Sequence, residues 1–556
     1  MTYENRQKAI DLSHHLSELS KARATSPLKG LARYYGRPGL ISLAGGVPDE
    51  NYFPFNNIGG DAIVPNAFSL KADEQDSGLS WFWKLFGRPT KEKTIPITIP
   101  RWPEQNGDVN LAQALQYGMA TGLPQLQKFI KDFVEKVYQP AYSDCTIMVH
   151  IGNTEGWSRT MQTLMNPGEG FITEEWSFPT AMAASIPYGM HAIPVEMDGD
   201  GMSSACLRKV LSEWDEKARG CKRPHVMYTV PVGQNPCGST MGATRKKEIY
   251  DICVEFGKVS SRAEHSRWID LCNVVVTPDI IIVEDDPYFF LQQGGYVPKT
   301  QRSSESHGGT SDAEWLAGLA PSYLKFDYQG RVIRLDTFSK YIAPGSRLGW
   351  HTCNPLFAER LERHGETTAQ APCGFGQSLV TQLLLTWKQD GYVRWLRGLA
   401  VQYKSRRDFF IDCLGEEFHL VPSSSEVSYW KGCDVFDAYA KTGKELVTTE
   451  KGAIGTRLFS FVPPSSGMFI WMRLFFGNLP AYRRDPEETP ELQLWTKLAD
   501  AGVLISPGWF FAADTLNPPT DEMEGHYRIS FSNADFEALK KAVQIFAKVT
   551  KDFFEQ

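Results

Sequence analysis

The chain has 556 residues, a length that suits roughly two to four globular units rather than one small module. Hydrophobic residues make up 42% and charged residues 22%, ordinary globular usage that excludes wholesale disorder, collagen-like repetition and a disulfide-held miniprotein. Lys plus Arg (58) against Asp plus Glu (65) gives a net charge of −7 without long like-charge runs, so no footprint for nucleic acid or an anionic membrane is present and the expected partner is a small molecule.

The opening Met1–Arg6 leads into polar, helix-like sequence from Asp11 to Ala24 with no apolar h-region or cleavage pattern, which predicts a cytoplasmic protein. Residues 26–60 are punctuated by Pro27, Pro38, Pro48 and Pro54 and by several glycines, and read as an extended, turn-rich arm. Strands and helices then alternate: a helix over Leu123–Tyr138, a strand Thr146–Ile151, a helix Gly156–Met165, a strand Phe171–Thr173 and a helix starting near Pro179. Further strands follow at Val226–Val230, Ile280–Val283 and Val332–Leu335, which predicts an α/β fold with a mostly parallel sheet covered by helices on both faces. The most apolar stretch, 272–283, is broken by Asn273, Pro278 and Asp279 and is too short to span a bilayer.

From Asn354 to Asp412 the pattern is helical, with helices at Phe375–Lys388 and Tyr392–Asp412, and there the chain is expected to cross into a second, smaller α+β domain. That domain carries strands at Gly467–Arg473 and Tyr527–Phe531 and a last helix from Asp535. Segments 66–100, 257–272, 295–328, 421–455 and 478–490 are polar or Ser/Gly-rich and read as surface insertions. The ten cysteines include no Cys-x-x-Cys pair and are expected as buried thiols; the eleven histidines show no catalytic-zinc spacing, and Gly443-Lys444 lacks the rest of a P-loop, so no metal is expected.

The segment with chemical content is Leu335-Asp-Thr-Phe-Ser-Lys-Tyr-Ile-Ala-Pro-Gly-Ser-Arg-Leu-Gly-Trp350. Lys340 stands just past a buried strand, where open α/β sheets bind ligands, and Thr337, Ser339 and Arg347 offer two hydroxyls and a guanidinium fork suited to a phosphate. An amine beside a phosphate site is what pyridoxal 5′-phosphate (PLP) requires. Such a cofactor also needs a carboxylate at its ring nitrogen, and Asp285, ending the strand of Ile280-Ile-Ile-Val-Glu-Asp-Asp-Pro-Tyr288, is the candidate; the neighbouring residues argue against a Mg²⁺ site in the same acidic run.

This lysine segment resembles the Ser-Phe-Ser-Lys-x-x-Ala-Pro-Gly-x-Arg-x-Gly signature of fold-type I, class I/II aminotransferases, with Thr337 in place of the first serine. Its closest likeness is to the fungal aromatic amino acid aminotransferases, in the subgroup of kynurenine/α-aminoadipate aminotransferase, through Ser26-Pro-Leu-Lys29, the Gly-Gly-Val-Pro arm and the long insertions. The resemblance implies a large domain built on a seven-stranded, mostly parallel sheet plus a smaller α+β domain. It divides the chain into residues 1–60 (arm and part of the small domain), 61–365 (large PLP-binding domain) and 366–556 (C-terminal small domain).

By the same resemblance Lys340, Asp285 and Tyr288 are catalytic, Asp285 at the ring nitrogen and Tyr288 at the 3′-oxygen together with Asn235 of the Asn-Pro-Cys-Gly238 turn, where threonine is usual in place of Cys237. Asn153 and Thr154, in Gly152-Asn-Thr-Glu-Gly-Trp157, fall on the phosphate-binding pair, although an ordinary helix cap reads equally from the sequence. Trp176 falls where an aromatic ring stacks on the cofactor, with core packing as the alternative. Arg528, in His526-Tyr-Arg-Ile-Ser-Phe-Ser532, corresponds to the arginine that grips the substrate carboxylate, and Gly46 to a backbone position lining the substrate pocket. Tyr117, in Ala114-Leu-Gln-Tyr-Gly118, corresponds to a tyrosine that reaches the phosphate of a neighbouring subunit, which implies a homodimer with shared active sites. The implied activity is transfer of an amino group from an aromatic amino acid, with kynurenine or 2-aminoadipate as further donors, to 2-oxoglutarate. A PLP lyase or decarboxylating enzyme is the alternative within the fold, and a PLP-binding transcriptional regulator the alternative from another class.

Overall fold

The computed structural model describes residues 6–27, 38–40, 43–44, 46–70, 93–105, 107–256, 279–302, 310–424, 427–441, 447–449, 452–479, 489–514 and 523–555. Seven strands form the central sheet: β1 Thr146–His150, β2 Gly170–Glu174, β3 His191–Val195, β4 Val226–Thr229, β5 Ile281–Asp285, β6 Val332–Thr337 and β7 Gly349–Cys353. Their spatial order is β1-β7-β6-β5-β4-β2-β3, and only β7 runs antiparallel to its neighbours. Every residue of β2, β4, β5, β6 and β7 is buried, the polar ones included, as expected of strands covered on both faces.

Two helices on this sheet matter for the site. Helix α1, Pro124–Val137, starts on a proline and buries Leu126, Phe129, Ile130, Phe133 and Val134, one stripe of helical spacing. Helix α2, Asn153–Leu164, follows β1 and buries Trp157, Met161 and Leu164; it begins three residues earlier than the periodicity predicts, which puts Asn153 and Thr154 in its first turn.

The smaller sheet has six antiparallel strands: β8 Phe418–Ser424, β9 Asp434–Ala440, β10 Arg457–Phe461, β11 Phe469–Phe475, β12 Ser506–Pro507 and β13 Glu524–Ser530, in the order β8-β9-β10-β11-β13-β12. Helix α3, Gly374–Glu417, leads into it; Lys388 (φ 59°, ψ 179°) breaks its helical backbone, at the boundary expected between two helices. Helix α4, Phe536–Glu555, closes the chain and buries Leu539, Val543, Phe546 and Phe553. No described helix is long and apolar enough to cross a membrane.

Three segments read as surface insertions contribute to the fold. Within 421–455, β9 is a full member of the small sheet with Val435 and Ala438 buried; Asp434 and Asp437 made the run look like a loop, yet Asp437 is itself buried against Ser460 Oγ. Within 295–328, Tyr323 and Leu324 are fully buried, an apolar pair too short to show periodicity. Within 66–100, Thr94–Pro100 pairs with Asn57–Ile63 as an antiparallel ribbon whose Ile99 is buried. Residues 257–278, holding one predicted insertion and most of the apolar stretch 272–283, lie outside the described residues, as do Leu28 and Lys29 of the Ser26–Lys29 motif. The nine described cysteines are free thiols.

Candidate active site

The carboxyl ends of parallel strands β1, β5 and β6 open into one cavity of about 460 Å³, where unpaired strand ends and helix starts leave polar backbone free for a ligand. Lys340, Asp285, Tyr288, Asn235, Asn153, Thr154, Thr337, Ser339, Arg347 and Arg528 all line it. Residues separated by up to 375 positions in the chain (528 − 153) are brought together there.

Asp285 ends β5 almost fully buried. Its Oδ1 accepts from Asn153 Nδ2 at 2.6 Å and its Oδ2 from the Tyr228 hydroxyl at 2.6 Å. Burial pushes its carboxyl above the ordinary value, against these hydrogen bonds and the charges of Arg334 and Lys340. Arg334, buried in β6, pairs with Glu284 (3.1 Å), Asp286 (3.0 Å) and Asp336 (2.9 Å), so the acidic neighbours of Asp285 are bound into the core instead of facing the cavity.

Lys340 follows β6 on the turn that begins at Phe338. Burial and the nearby Arg528 charge lower its amine from the ordinary lysine value, while Asp285 opposes them. Thr337 Oγ1 lies 2.9 Å from Ser339 Oγ and also meets Leu348 O at 3.2 Å, which fixes two hydroxyls side by side. Arg347 has a left-handed backbone (φ 47°) after the Pro344–Ser346 turn, and its guanidinium crosses over Gly152, whose own φ of 114° and lack of a side chain permit the approach. No side chain caps α2, so its first-turn N–H groups face the same corner as the Arg347 fork, an anion-binding arrangement.

Arg528 projects from β13 opposite buried Tyr527 and Ile529. Its Nη1 donates to Asn235 Oδ1 at 2.7 Å and its Nη2 to Ser506 Oγ at 3.2 Å, between the rings of Phe469 (4.2 Å) and Phe511 (4.7 Å). Burial lowers its pKa from the ordinary arginine value, and its Nε has no partner. Tyr288 is buried edge-on to Phe469, and burial raises its hydroxyl pKa.

Some expected site residues stand differently. Trp176 does not line the cavity; it packs on Trp471 (5.1 Å) and His526 (4.9 Å) in a separate cluster, and its carbonyl accepts from Gln234 Nε2 at 2.6 Å, bracing the Asn235 turn from behind. Phe178, two residues on, lines the cavity in its place, because the chain turns after Trp176 to start the Pro179–Ser185 helix. Asn153 was expected at a phosphate, yet its amide is committed to Asp285 and to Leu335 O (3.1 Å). Tyr117 is 66% exposed and Gly46 has no atom within 4 Å of a Cβ built on it; neither lines the cavity. Ile41, Ser42 and Gly45 of the same arm lie outside the described residues.

Sequence reasoning missed Tyr228 and Phe178. The signal for Tyr228 was available: a tyrosine hydroxyl inside a wholly buried strand must find a partner. Tyr228→Phe is expected to lower kcat roughly tenfold and to lower stability as well, since one buried hydrogen bond to a charged group is worth about 1.5–3 kcal/mol; steady-state kinetics and thermal melting of the variant check it.

No family model matches the chain. It is 31% identical over 549 residues to an aromatic amino acid aminotransferase of Schizosaccharomyces pombe, covering 98% of each chain. It is 32% identical over 527 residues to an L-tyrosine:2-oxoglutarate aminotransferase of Serpula lacrymans, covering 92% of this chain and 86% of that one. Among solved structures, an aminotransferase from Candida albicans superposes with a TM-score of 0.78 at 30% identity, covering 99% of this chain and 100% of that one.

Proposed function

The chain belongs to the aromatic amino acid aminotransferase family, and from that premise we propose that it moves the amino group of an aromatic amino acid to 2-oxoglutarate with PLP held in the cavity at Lys340. One observation carries the substrate reading. Arg528 is desolvated between two aromatic rings, and among the described residues its hydrogen-bond partners are the neutral Asn235 and Ser506. A desolvated guanidinium with uncharged partners calls for a carboxylate from outside, and both an amino acid and a 2-oxo acid bring one. The apolar walls supplied by Phe178, Tyr288, Met468 and Phe469 suit an aromatic side chain.

The residues also fit PLP. Lys340 supplies an amine, the Arg347 fork with Thr337, Ser339 and the α2 N-terminus supplies an anion corner, and Asp285 is a buried carboxylate facing the same space. When bound, PLP supplies an aldehyde that takes up the amino group and a ring that withdraws electrons from the substrate Cα. Asp285, fixed by Tyr228 and Asn153, would hold a carboxylate toward the cofactor ring and so keep that ring electron-poor. Arg528 orients the substrate through its carboxylate, so that the Cα–H bond is held in the reactive direction. Lys340 Nζ would accept that proton, and burial, which lowers its amine from the ordinary lysine value, favours the neutral form that can do so.

Arg528→Ala is expected to raise KM for the amino acid and for the oxo acid alike, by roughly 10- to 100-fold, because both halves of the exchange use the same grip. An unchanged KM for either would remove Arg528 from the carboxylate site. A donor screen against 2-oxoglutarate tests the substrate class: tyrosine, phenylalanine or tryptophan should give the highest kcat/KM, with kynurenine and 2-aminoadipate as further donors, and a best donor without an aromatic ring would refute it.

We also take the catalytic unit to be a homodimer and the domain limits to be 1–60, 61–365 and 366–556. Supporting the dimer, Leu43, Tyr52 and Tyr117 are 93%, 83% and 66% exposed along the arm and beside it, apolar surface that a second copy would cover. Light scattering of the purified protein should give twice the 62.5 kDa chain mass.

A further inference from the structure

At the end of β5 remote from Asp285, the N-terminal segment is fastened by a cluster of imidazoles that aminotransfer does not use. His14 and His15 close a short 3-10 turn, and the Nε2 atoms of both lie 2.7 Å from Asp279 Oδ1, two residues ahead of β5. The three ligand atoms lie within 4.8 Å of one another. His15 is buried, whereas the His14 side chain is 53% exposed, which leaves one side of the cluster open to water. Behind His15, its Nδ1 lies 3.0 Å from His225 Nδ1, and His225 Nε2 lies 3.4 Å from Glu169 Oε2. Arg331 Nη2 takes the other Asp279 oxygen at 2.9 Å.

Hydrogen-bond counting gives this cluster its meaning. The contacts Asp279–His15, His15–His225 and His225–Glu169 each need one N–H, and two neutral imidazoles carry only two between them. A dication on His15 Nε2 removes the shortfall. It replaces the proton toward Asp279, so that His15 Nδ1–H donates to His225 Nδ1 and His225 Nε2–H donates to Glu169, the carboxylate–imidazole support that metal-bound histidines commonly have.

We propose that His14, His15 and Asp279 form a site for a divalent transition-metal ion of the zinc type, with water as the fourth ligand on the His14 side. Two imidazoles and one carboxylate are a donor set that suits zinc, and Arg331 restricts Asp279 to a single ligating oxygen while its charge moderates the affinity. The ion would tie the N-terminal segment to the strand that carries Asp285. The sequence offered no hint of this, because His15 and Asp279 are 264 positions apart.

The segment is anchored elsewhere by Arg6 to Glu135 (3.0 Å), Ile10 N to Gln329 O (3.0 Å) and Ser17 Oγ to Gln162 O (2.7 Å), so His14→Ala should fold. The test is calorimetric titration of the full-length, PLP-loaded protein with Zn²⁺, together with metal analysis after gel filtration. The wild type and His419→Ala, a partly exposed histidine on β8 of the small sheet, should hold one equivalent per chain and melt at a higher temperature with Zn²⁺. His14→Ala and His15→Gln should bind at least about tenfold more weakly and show no such shift. Stoichiometric binding retained in His14→Ala, or wild-type binding no tighter than that of His14→Ala, overturns the proposal.

Discussion

Lys340→Ala is expected to lower kcat by about 10³- to 10⁴-fold, the scale of a lost general acid/base placed at the reacting atom. The side chain is only half-buried and lines the cavity, so the melting temperature without cofactor should barely move. A small primary amine added to the variant should restore part of the rate, with an efficiency that rises with its basicity, because the missing function is a proton carrier rather than a structural strut. Lys340→Arg keeps the charge but holds its proton too tightly to exchange it, and should be as inactive as the alanine variant. Full activity in either variant would move the chemistry to another residue.

The second large effect is expected at Asp285. Asp285→Ala should cost roughly 10²- to 10³-fold in kcat, the scale of a lost electrostatic group in a dry site. It also strands the Tyr228 hydroxyl and one N–H of the Asn153 amide, whose other N–H keeps Leu335 O, at about 1–3 kcal/mol for each lost partner, although release of a carboxylate that burial already disfavours offsets part of this. Asp285→Asn separates the two contributions: it keeps the volume and one acceptor oxygen and loses the charge. Its stability should stay close to that of the wild type while its activity falls with that of Asp285→Ala. If Asp285→Asn were fully active, the negative charge would have no part in the reaction.

Much of this was legible because the chemistry sits on short contiguous motifs at strand ends. Asp285 ends the strand opened by Ile281-Ile-Val283, and Lys340 follows the strand Val332–Thr337 by three residues, so both positions could be placed at strand ends before any tertiary contact was known. Arg528 could be placed by alternation, since Tyr527 and Ile529 point into the core on either side of it. What the sequence left open depended on direction or on long-range partners. Choosing Trp176 over Phe178 required knowing where the backbone turns before the Pro179–Ser185 helix, and two aromatics in one short segment do not reveal it. The commitment of Asn153 to Asp285 joins residues 132 positions apart, and no local pattern encodes it. Strand β9 was hidden by its aspartates, one of which is buried and paired across the sheet with Ser460.

The most direct measurement is borohydride reduction of the PLP-loaded protein followed by peptide mapping by mass spectrometry. The account predicts one pyridoxyl label per chain, on the peptide that contains Lys340, and none in Lys340→Ala. A label on any other lysine, or a reduced protein without one, would contradict it.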